Sequence, residues 1–421
     1  MTDQLARRFI FRMFSQIKHE RIEISEHGHR FAFGPEDAPL LARINVHSRL
    51  AYRQLLRGSN GLAETYMDGL WDTDDAVALI RIAARNMRGM DRWRDAWHPV
   101  LHAGQRLARM VPRNDHKGAR ENIAAHYDLG NQLFSLLLDP SMMYSCAYFD
   151  SPQATLEEAQ QAKLDRVVDA LQLGPEDHLL EIGTGWGAMA VHAAQRSGCR
   201  VTTTTISREQ HDFALERVQD AGLSDRVTVL LEDYRDLSGT YTKLVSIEMI
   251  EAVGWQYFPT YFRRCSELLA DDGLMFLQAI TIDDRAYEVE KASKSFINTH
   301  IFPGGCLPSL EVIHRCIAGE TDLRTVRLDD ITEHYGETLR HWRENFLASA
   351  KLAEELGYDL RFRRMWELYL AYVEAGFREA RIGVSQMVMA KPEFRGSLGA
   401  RRAAEHAVGD PVHQEARAAA G

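Results

Sequence analysis

The 421-residue chain has only five cysteines, Cys146, Cys199, Cys265, Cys306 and Cys316, and no C-x-x-C spacing. An odd count without that spacing suggests neither a disulfide framework nor a thiolate zinc site, so no metal is expected and a reducing compartment is implied. Long apolar runs are missing too: no stretch reaches the roughly 18 residues that a membrane span needs. The N-terminal MTDQLARRFIFRMF is basic and apolar, yet it lacks the continuous apolar segment and small-residue cleavage site of a secretory signal. It reads as a helix of the mature chain. An excess of basic charge is also absent, because 60 acidic residues outnumber 50 basic ones for a net charge of -10. That balance argues against general nucleic-acid binding. What is present is ordinary globular composition, 45% hydrophobic and 26% charged, at a length sufficient for roughly two or three domains.

The most informative stretch is Leu179-Leu180-Glu181-Ile182-Gly183-Thr184-Gly185-Trp186-Gly187. An apolar run ends in an acid, glycines alternate, and a helical pattern follows from Ala188 into Gln195: strand, turn, helix. Gly183, Gly185 and Gly187 allow positive φ and remove the Cβ atoms that would keep a ligand off the main chain. Their G-x-G-x-G spacing differs from the dinucleotide fingerprint G-x-G-x-x-G and suits a nucleoside with an amino-acid tail. A tight turn needs glycine for structure alone, so the surrounding chain has to decide.

Residues 2 to 18 read as a helix carrying Arg7, Arg8, Arg12 and Lys18, which either packs on a core or lies on a membrane surface. Arg21 to Ser25 and Arg30 to Phe33 alternate at period two as a hairpin. A strand-like RINVHS follows, then helical patterns through GLAETYMDGLWDTDD and AVALIRIAARNM. The segment from Arg88 to Arg120 is basic, with Arg92, Arg94, Arg106, Arg109, Arg113, Lys117 and Arg120, and is the stretch best suited to anionic headgroups. A solvated helix face is the plainer reading. Residues 121 to about 285 alternate strand and helix: helix Leu156 to Leu171, then strands at Leu179 to Ile182, Arg200 to Ile206, Val227 to Leu231, Lys243 to Ile247 and Leu274 to Ala279. Such alternation predicts a parallel sheet covered on both faces, with ligands at the carboxyl ends of the strands. Beyond it, Tyr287 to Thr299, Tyr335 to Leu356 and Phe362 to Ala380 have helical patterns, and Val384 to Met389 reads as a last strand. The end, from about Gly396, is Ala-, Arg- and Gly-rich and reads as disordered.

In combination, AHYDLGNQLFSLLLDPSMMYSCAYF, EIGTGWGAMA, TTTISREQ, LLEDYRDL, MIEAVG, FPGGCLPS and HYGETLRHWRENF resemble the cyclopropane fatty acid synthase family of S-adenosylmethionine-dependent methyltransferases. The motifs run in order from about residue 120 to 390, and TYMDGLW upstream matches the family's N-terminal domain. The resemblance implies an α/β fold, a doubly wound Rossmann-like methyltransferase sheet with a smaller N-terminal α+β domain. The expected domains are residues 1–115, contacting lipid, 116–392, catalytic, and 393–421, a tail.

Carried over residue by residue, the resemblance implies that Tyr144 and Ser145 meet the cofactor's amino-acid end and that Gly183, Gly185 and Gly187 form its turn. Thr205, Ile206 and Gln210 would meet the ribose and methionine portions, and Asp233 and Tyr234 the adenine. The family also binds a bicarbonate ion, implying Cys146, Glu251, Gln278, Ile280 and Tyr335 around it, with Cys146 and Ile280 acting through backbone groups. Where the family commonly has histidine this chain has Gln278, which cannot carry charge, so a cationic partner for the anion is lost. Ala252 replaces a further histidine, and Val373 stands where relatives often have cysteine, which excludes a thiol nucleophile there.

The implied reaction is attack of a cis double bond on the sulfonium methyl, leaving a carbocation that must be kept from water. Closure to a cyclopropane needs a base within reach of the new methyl group, expected to be the bicarbonate held by Glu251 and Tyr335, with Glu251 itself as the second possibility; a hydride shift and loss of a different proton would give a methylene branch. The implied partner is a phospholipid membrane with unsaturated acyl chains, contacted from the cytoplasmic side, with no nucleic acid. A homodimer would let one subunit anchor while the other works. The competing readings are an amine methyltransferase and a non-catalytic lipid-binding protein that kept the fold.

Overall fold

The computed structural model describes residues 2–86, 118, 130–291 and 293–396. The basic segment from Arg88 to Arg120 lies outside the described residues but for Gly118. The boundary expected at 115/116 and the tail beyond 396 also fall outside them.

Two sheets organise the described chain. The first has the order β2-β1-β3-β4, from β1 (Arg21–Glu26), β2 (His29–Phe33), β3 (Leu41–Val46) and β4 (Trp71–Thr73). β1 and β2 form the expected hairpin, turned by His27 and Gly28, both at positive φ, as a tight two-residue connection requires. The helix Asp3–Phe14 is capped by Thr2, buries Ala6 and Ile10, and sets the Phe11 ring edge-on against Phe31 and Phe33 at 5.1 Å each. Its apolar face is therefore mostly core. Leu5 and Phe9 nevertheless remain 52% and 51% exposed on its other side.

The second sheet is seven-stranded, ordered β10-β11-β9-β8-β5-β6-β7. Its strands are β5 (His178–Ile182), β6 (Arg200–Thr205), β7 (Val227–Leu231), β8 (Tyr241–Ile247), β9 (Leu269–Ile282), β10 (Arg324–Asp330) and β11 (Ile382–Ala390). β5 pairs parallel with β6 on one side and β8 on the other, so the strand order reverses beside it. The loops after β5 and β8 both leave at the carboxyl ends flanking that reversal, where open α/β sheets bind ligands.

The structure corrects several expectations. The sheet is not wholly parallel: β11 runs antiparallel to both β9 and β10. β10 and the helix Leu310–Glu320 were not anticipated; β10 is an edge strand with a charged, half-exposed sequence, which blurs its period. Trp71–Thr73 is a strand rather than helix because it pairs with β3, a contact invisible to local propensity. β9 begins at Leu269 rather than at the expected Leu274, and its pairing with β8 jumps from Leu269 to Leu274.

 The skipped residues 270–273, between Leu269 and Leu274, bulge out of the ladder. The helix expected over Tyr287 to Thr299 is instead Asp284–Glu290 followed by a π-turn at Ile297–Ile301.

One continuous apolar core links the N-terminal helix and sheet to Leu133, Phe134 and the two long helices Thr332–Ala348 and Leu360–Arg378. Arg364 fastens that junction, donating to the carbonyls of Tyr66 at 2.6 Å and Trp71 at 2.9 Å. The aromatic C-terminal helices are thereby held over the carboxyl-end loops of the large sheet.

Candidate active site

The glycine turn leaves β5 with Gly183, Gly185 and Gly187 at φ of 101°, 52° and 84°. Gly187 is pressed against the next helix, since a Cβ there would lie 3.1 Å from the Ala214 Cβ. Gly185 is different: a Cβ there would meet nothing within 4 Å. Gly187 serves packing against the helix Arg208–Asp220, whereas Gly185 faces open space that a ligand can fill.

The turn is fixed from below. The Gly183 and Thr184 N–H groups donate to the Thr204 carbonyl at 3.1 and 3.0 Å. Thr203 donates to the buried Glu181 carboxylate at 2.6 Å and shares a 2.6 Å bond with Thr184. Burial pushes the Glu181 carboxyl up to about 8. At the end of β6, Thr205 donates to the Gln210 side-chain oxygen at 2.8 Å, and both are buried beside the partly buried Ile206. Asp233, after β7, is held by Arg235 through both carboxylate oxygens, at 2.8 and 2.7 Å. Tyr234 packs edge-on against Tyr261 at 5.6 Å.

The second wall comes from the loop after β8, which a Gly183 Cβ would touch, 3.1 Å from the Met249 Cγ. At its start stands Glu248, whose carboxylate gathers three donors. Its Oε1 accepts from the Cys146 N–H at 2.9 Å and the Gln278 amide at 2.8 Å, and its Oε2 accepts from the Tyr335 hydroxyl at 2.7 Å. The Gln278 amide also donates to the Cys146 carbonyl at 3.2 Å, and its oxygen accepts from Gln386 at 2.9 Å. Burial raises the Glu248 carboxyl despite those hydrogen bonds.

Glu251 lies one turn further on. Its Oε1 accepts from the Ile280 N–H at 2.5 Å, while Oε2 is buried with no hydrogen-bond partner among the described residues. Burial, with the Glu248 charge added, pushes it up to about 8, which favours the protonated acid at neutral pH. Lys163, fully buried on the core face of the helix Leu156–Leu171, donates to the Ser145 hydroxyl at 2.6 Å. Burial lowers it to about 8, and Glu248 opposes that fall. A buried cation therefore accompanies the buried carboxylate.

Around this wall stands an aromatic shell. Tyr144 shares a 2.7 Å hydrogen bond with Tyr369, and its ring lies 5.2 Å from both Phe134 and Trp342. Tyr335 stacks on Phe377 at 4.4 Å and meets Trp342 edge-on at 5.9 Å. A wide cleft of about 1090 Å³ lined by Phe377, Arg378, Arg381 and Thr281 includes neither Glu248, Glu251 nor the glycine turn, so the chemistry is assigned to the polar cluster.

Of the residues singled out in the sequence, Cys146, Gln278 and Tyr335 converge on one carboxylate, and Glu251 and Ile280 bond to each other beside it. That carboxylate, Glu248, was not among them, nor was Lys163. Two signals were available: an acid directly after an apolar strand, and a lysine at a core-facing helix position between Ala159 and Val167.

Residues 114–387 match the family model described as mycolic acid cyclopropane synthetase. The chain is 39% identical over 347 residues to the tuberculostearic acid methyltransferase of Mycobacterium tuberculosis, covering 81% of each chain. It is 37% identical over 356 residues to the cyclopropane-fatty-acyl-phospholipid synthase of Escherichia coli, covering 83% of this chain and 87% of that one. A solved mycolic acid cyclopropane synthase complexed with SAH and CTAB is 31% identical, with a TM-score of 0.61 over 65% of this chain and 98% of its own.

Proposed function

The chain belongs to the mycolic acid cyclopropane synthetase family, and we propose that its methyl acceptor is the cis double bond of acyl chains in membrane phospholipids. It is an S-adenosylmethionine-dependent methyltransferase of the cyclopropane synthase type, acting on unsaturated lipids. The observation that carries the acceptor reading is the carboxylate and phenol cluster walled by aromatic rings, at the residue before Met249, which the glycine turn touches.

The open space at Gly185 fits the cofactor. Gly183, Gly185 and Gly187 would hold it with Thr205, Ile206 and Gln210, Tyr144 and Ser145 would meet its amino-acid end, and Asp233 and Tyr234 its adenine. When bound it supplies an electrophilic methyl group. The chain's part is to orient the double bond, exclude water and manage charge. The faces of Tyr144, Trp342 and Tyr335 offer negative quadrupole to a cation on the acyl chain, and their packing keeps water from it. Bicarbonate does not fit the donor set: Cys146, Gln278 and Tyr335 already donate to Glu248, and a free anion there would face a like charge in a buried place.

Loss of a proton from the new methyl group gives a cyclopropane. A second product, the methylene or methyl branch, is favoured by Gln278 and by the 39% identity to a tuberculostearic acid methyltransferase. Gas chromatography with mass spectrometry of unsaturated phospholipid vesicles incubated with the protein and cofactor separates them, because mild hydrogenation reduces only the methylene. Methylation of soluble amines with none of the vesicles would overturn the acceptor reading.

Access to such chains fits the exposed stripe Leu5, Arg8, Phe9 and Arg12 on the first helix, which puts two apolar side chains beside two cations. Among the described residues no helix is long and apolar enough to cross a membrane. Contact from the membrane surface is the proposed mode. Pelleting with anionic vesicles should fall with salt and fall further in a Leu5→Ser, Phe9→Ser double variant.

A further inference from the structure

We propose that Glu248 is the base that takes the proton from the methylated acyl chain, its carboxylate standing in place of the bicarbonate ion that the family resemblance implies. The assignment rests on the acceptor reading above and names the group that completes its chemistry.

Three observations carry it. The first is the donor set: the backbone N–H of Cys146, the Gln278 amide and the Tyr335 hydroxyl, three of the groups implied to hold the anion, all point at the Glu248 carboxylate. An ionised carboxylate has about four acceptor sites, so one remains on Oε2 for a proton from substrate. The second is the backbone. Glu248 sits at φ +49°, in the left-handed region where a glutamate is uncommon and a glycine is at ease. A strained residue persists where its surroundings hold it, and such residues cluster at functional sites. The third is rigidity. The Glu248 N–H donates to the Gln278 carbonyl at 2.8 Å, continuing the parallel pairing of β8 with β9, so the base and its amide partner move as one piece.

The electrostatics agree. Lys163 supplies a buried positive charge that favours the ionised form of Glu248, while burial and the Glu248 charge push Glu251 up to about 8. Burial raises its carboxyl towards the range in which a general base is effective.

The step balances without a further reactant. The π pair of the double bond forms the bond to the incoming methyl carbon, and the sulfur–methyl pair stays on sulfur. Glu248 then takes a proton from that methyl group, and the freed C–H pair closes the ring on the cationic carbon. In the branched outcome a hydride shifts first and Glu248 takes the proton from the carbon next to the displaced cation, whose C–H pair forms the double bond. Either way Glu248 ends as the neutral acid and returns its proton to water once the product has left.

The test uses the full chain with unsaturated phospholipid vesicles and S-adenosylmethionine in buffer depleted of carbon dioxide, with and without added bicarbonate. The wild type should run within about two-fold of the same rate in both. Glu248→Gln should lose about 100-fold or more, the usual scale of a general base, while binding S-adenosylmethionine normally by calorimetry. Glu248→Gly relaxes the backbone and leaves the Cys146, Gln278 and Tyr335 donors free, so bicarbonate should restore its rate at least about ten-fold. A wild type that needs bicarbonate overturns the assignment, whether or not the variants fold, as does a Glu248→Gln variant at full rate. Absence of any lipid product from the wild type overturns the acceptor reading and this assignment with it; bicarbonate-dependent product overturns this assignment alone.

Discussion

Replacing Glu181 by glutamine should change how the stability of the fold responds to pH. Glu181 is 3% exposed at the end of β5, and burial lifts its carboxyl from the ordinary 4.5 to about 8, with the Thr203 hydrogen bond opposing in part. Between those values the native chain keeps a proton that the unfolded chain releases. Its contribution is therefore fully present below pH 4.5 and is lost as pH rises through 8. At about 1.36 kcal/mol for each pH unit and proton, the loss across that window is on the order of 4–5 kcal/mol. Glutamine keeps the shape and can still accept from Thr203, but it does not titrate. Urea unfolding of both proteins at about pH 5.5, 6.5 and 7.5 should show the variant gaining on the wild type by roughly 1.4 kcal/mol per unit. Using the difference cancels the other groups that titrate. Parallel stability curves would refute a buried, protonated Glu181.

Three further outcomes follow from the same geometry. Gly185→Ala should weaken S-adenosylmethionine binding in calorimetry at a stability cost of only about 1–2 kcal/mol, whereas Gly187→Ala, whose Cβ would lie 3.1 Å from Ala214, should lower the melting temperature more. Tyr335→Phe removes the 2.7 Å hydrogen bond to Glu248 and should cut turnover about 10- to 100-fold with cofactor affinity unchanged. Lys163→Met removes the buried charge that lowers the Glu248 carboxyl, so the acid limb of the pH–rate profile should move to higher pH; an unmoved limb would show that Lys163 has no electrostatic part in the site.

Features encoded in local pattern were legible from the chain alone. The glycine turn at Gly183 to Gly187, the helix Leu156–Leu171 with its Thr155 cap, and the strands β5 to β8 follow from periodicity and turn chemistry within a few residues. Local pattern failed where pairing decides: Trp71–Thr73 is a strand only because β3 lies beside it, and β10 only because β11 does. The site divides in the same way. Cys146, Gln278 and Tyr335 could be named from motifs, but what they bind could not, because the Glu248 carboxylate is 102 residues from Cys146 and 87 from Tyr335 in the chain. In the sequence Glu248 is an unremarked acid three residues before a motif glutamate. Only the parallel pairing of β8 with β9, the left-handed backbone at Glu248 and the packing of the C-terminal helices bring three donors onto it. Hydrogen bonds act over about 3 Å of space regardless of separation along the chain, and so tertiary structure alone decided which group stands at the centre of this site.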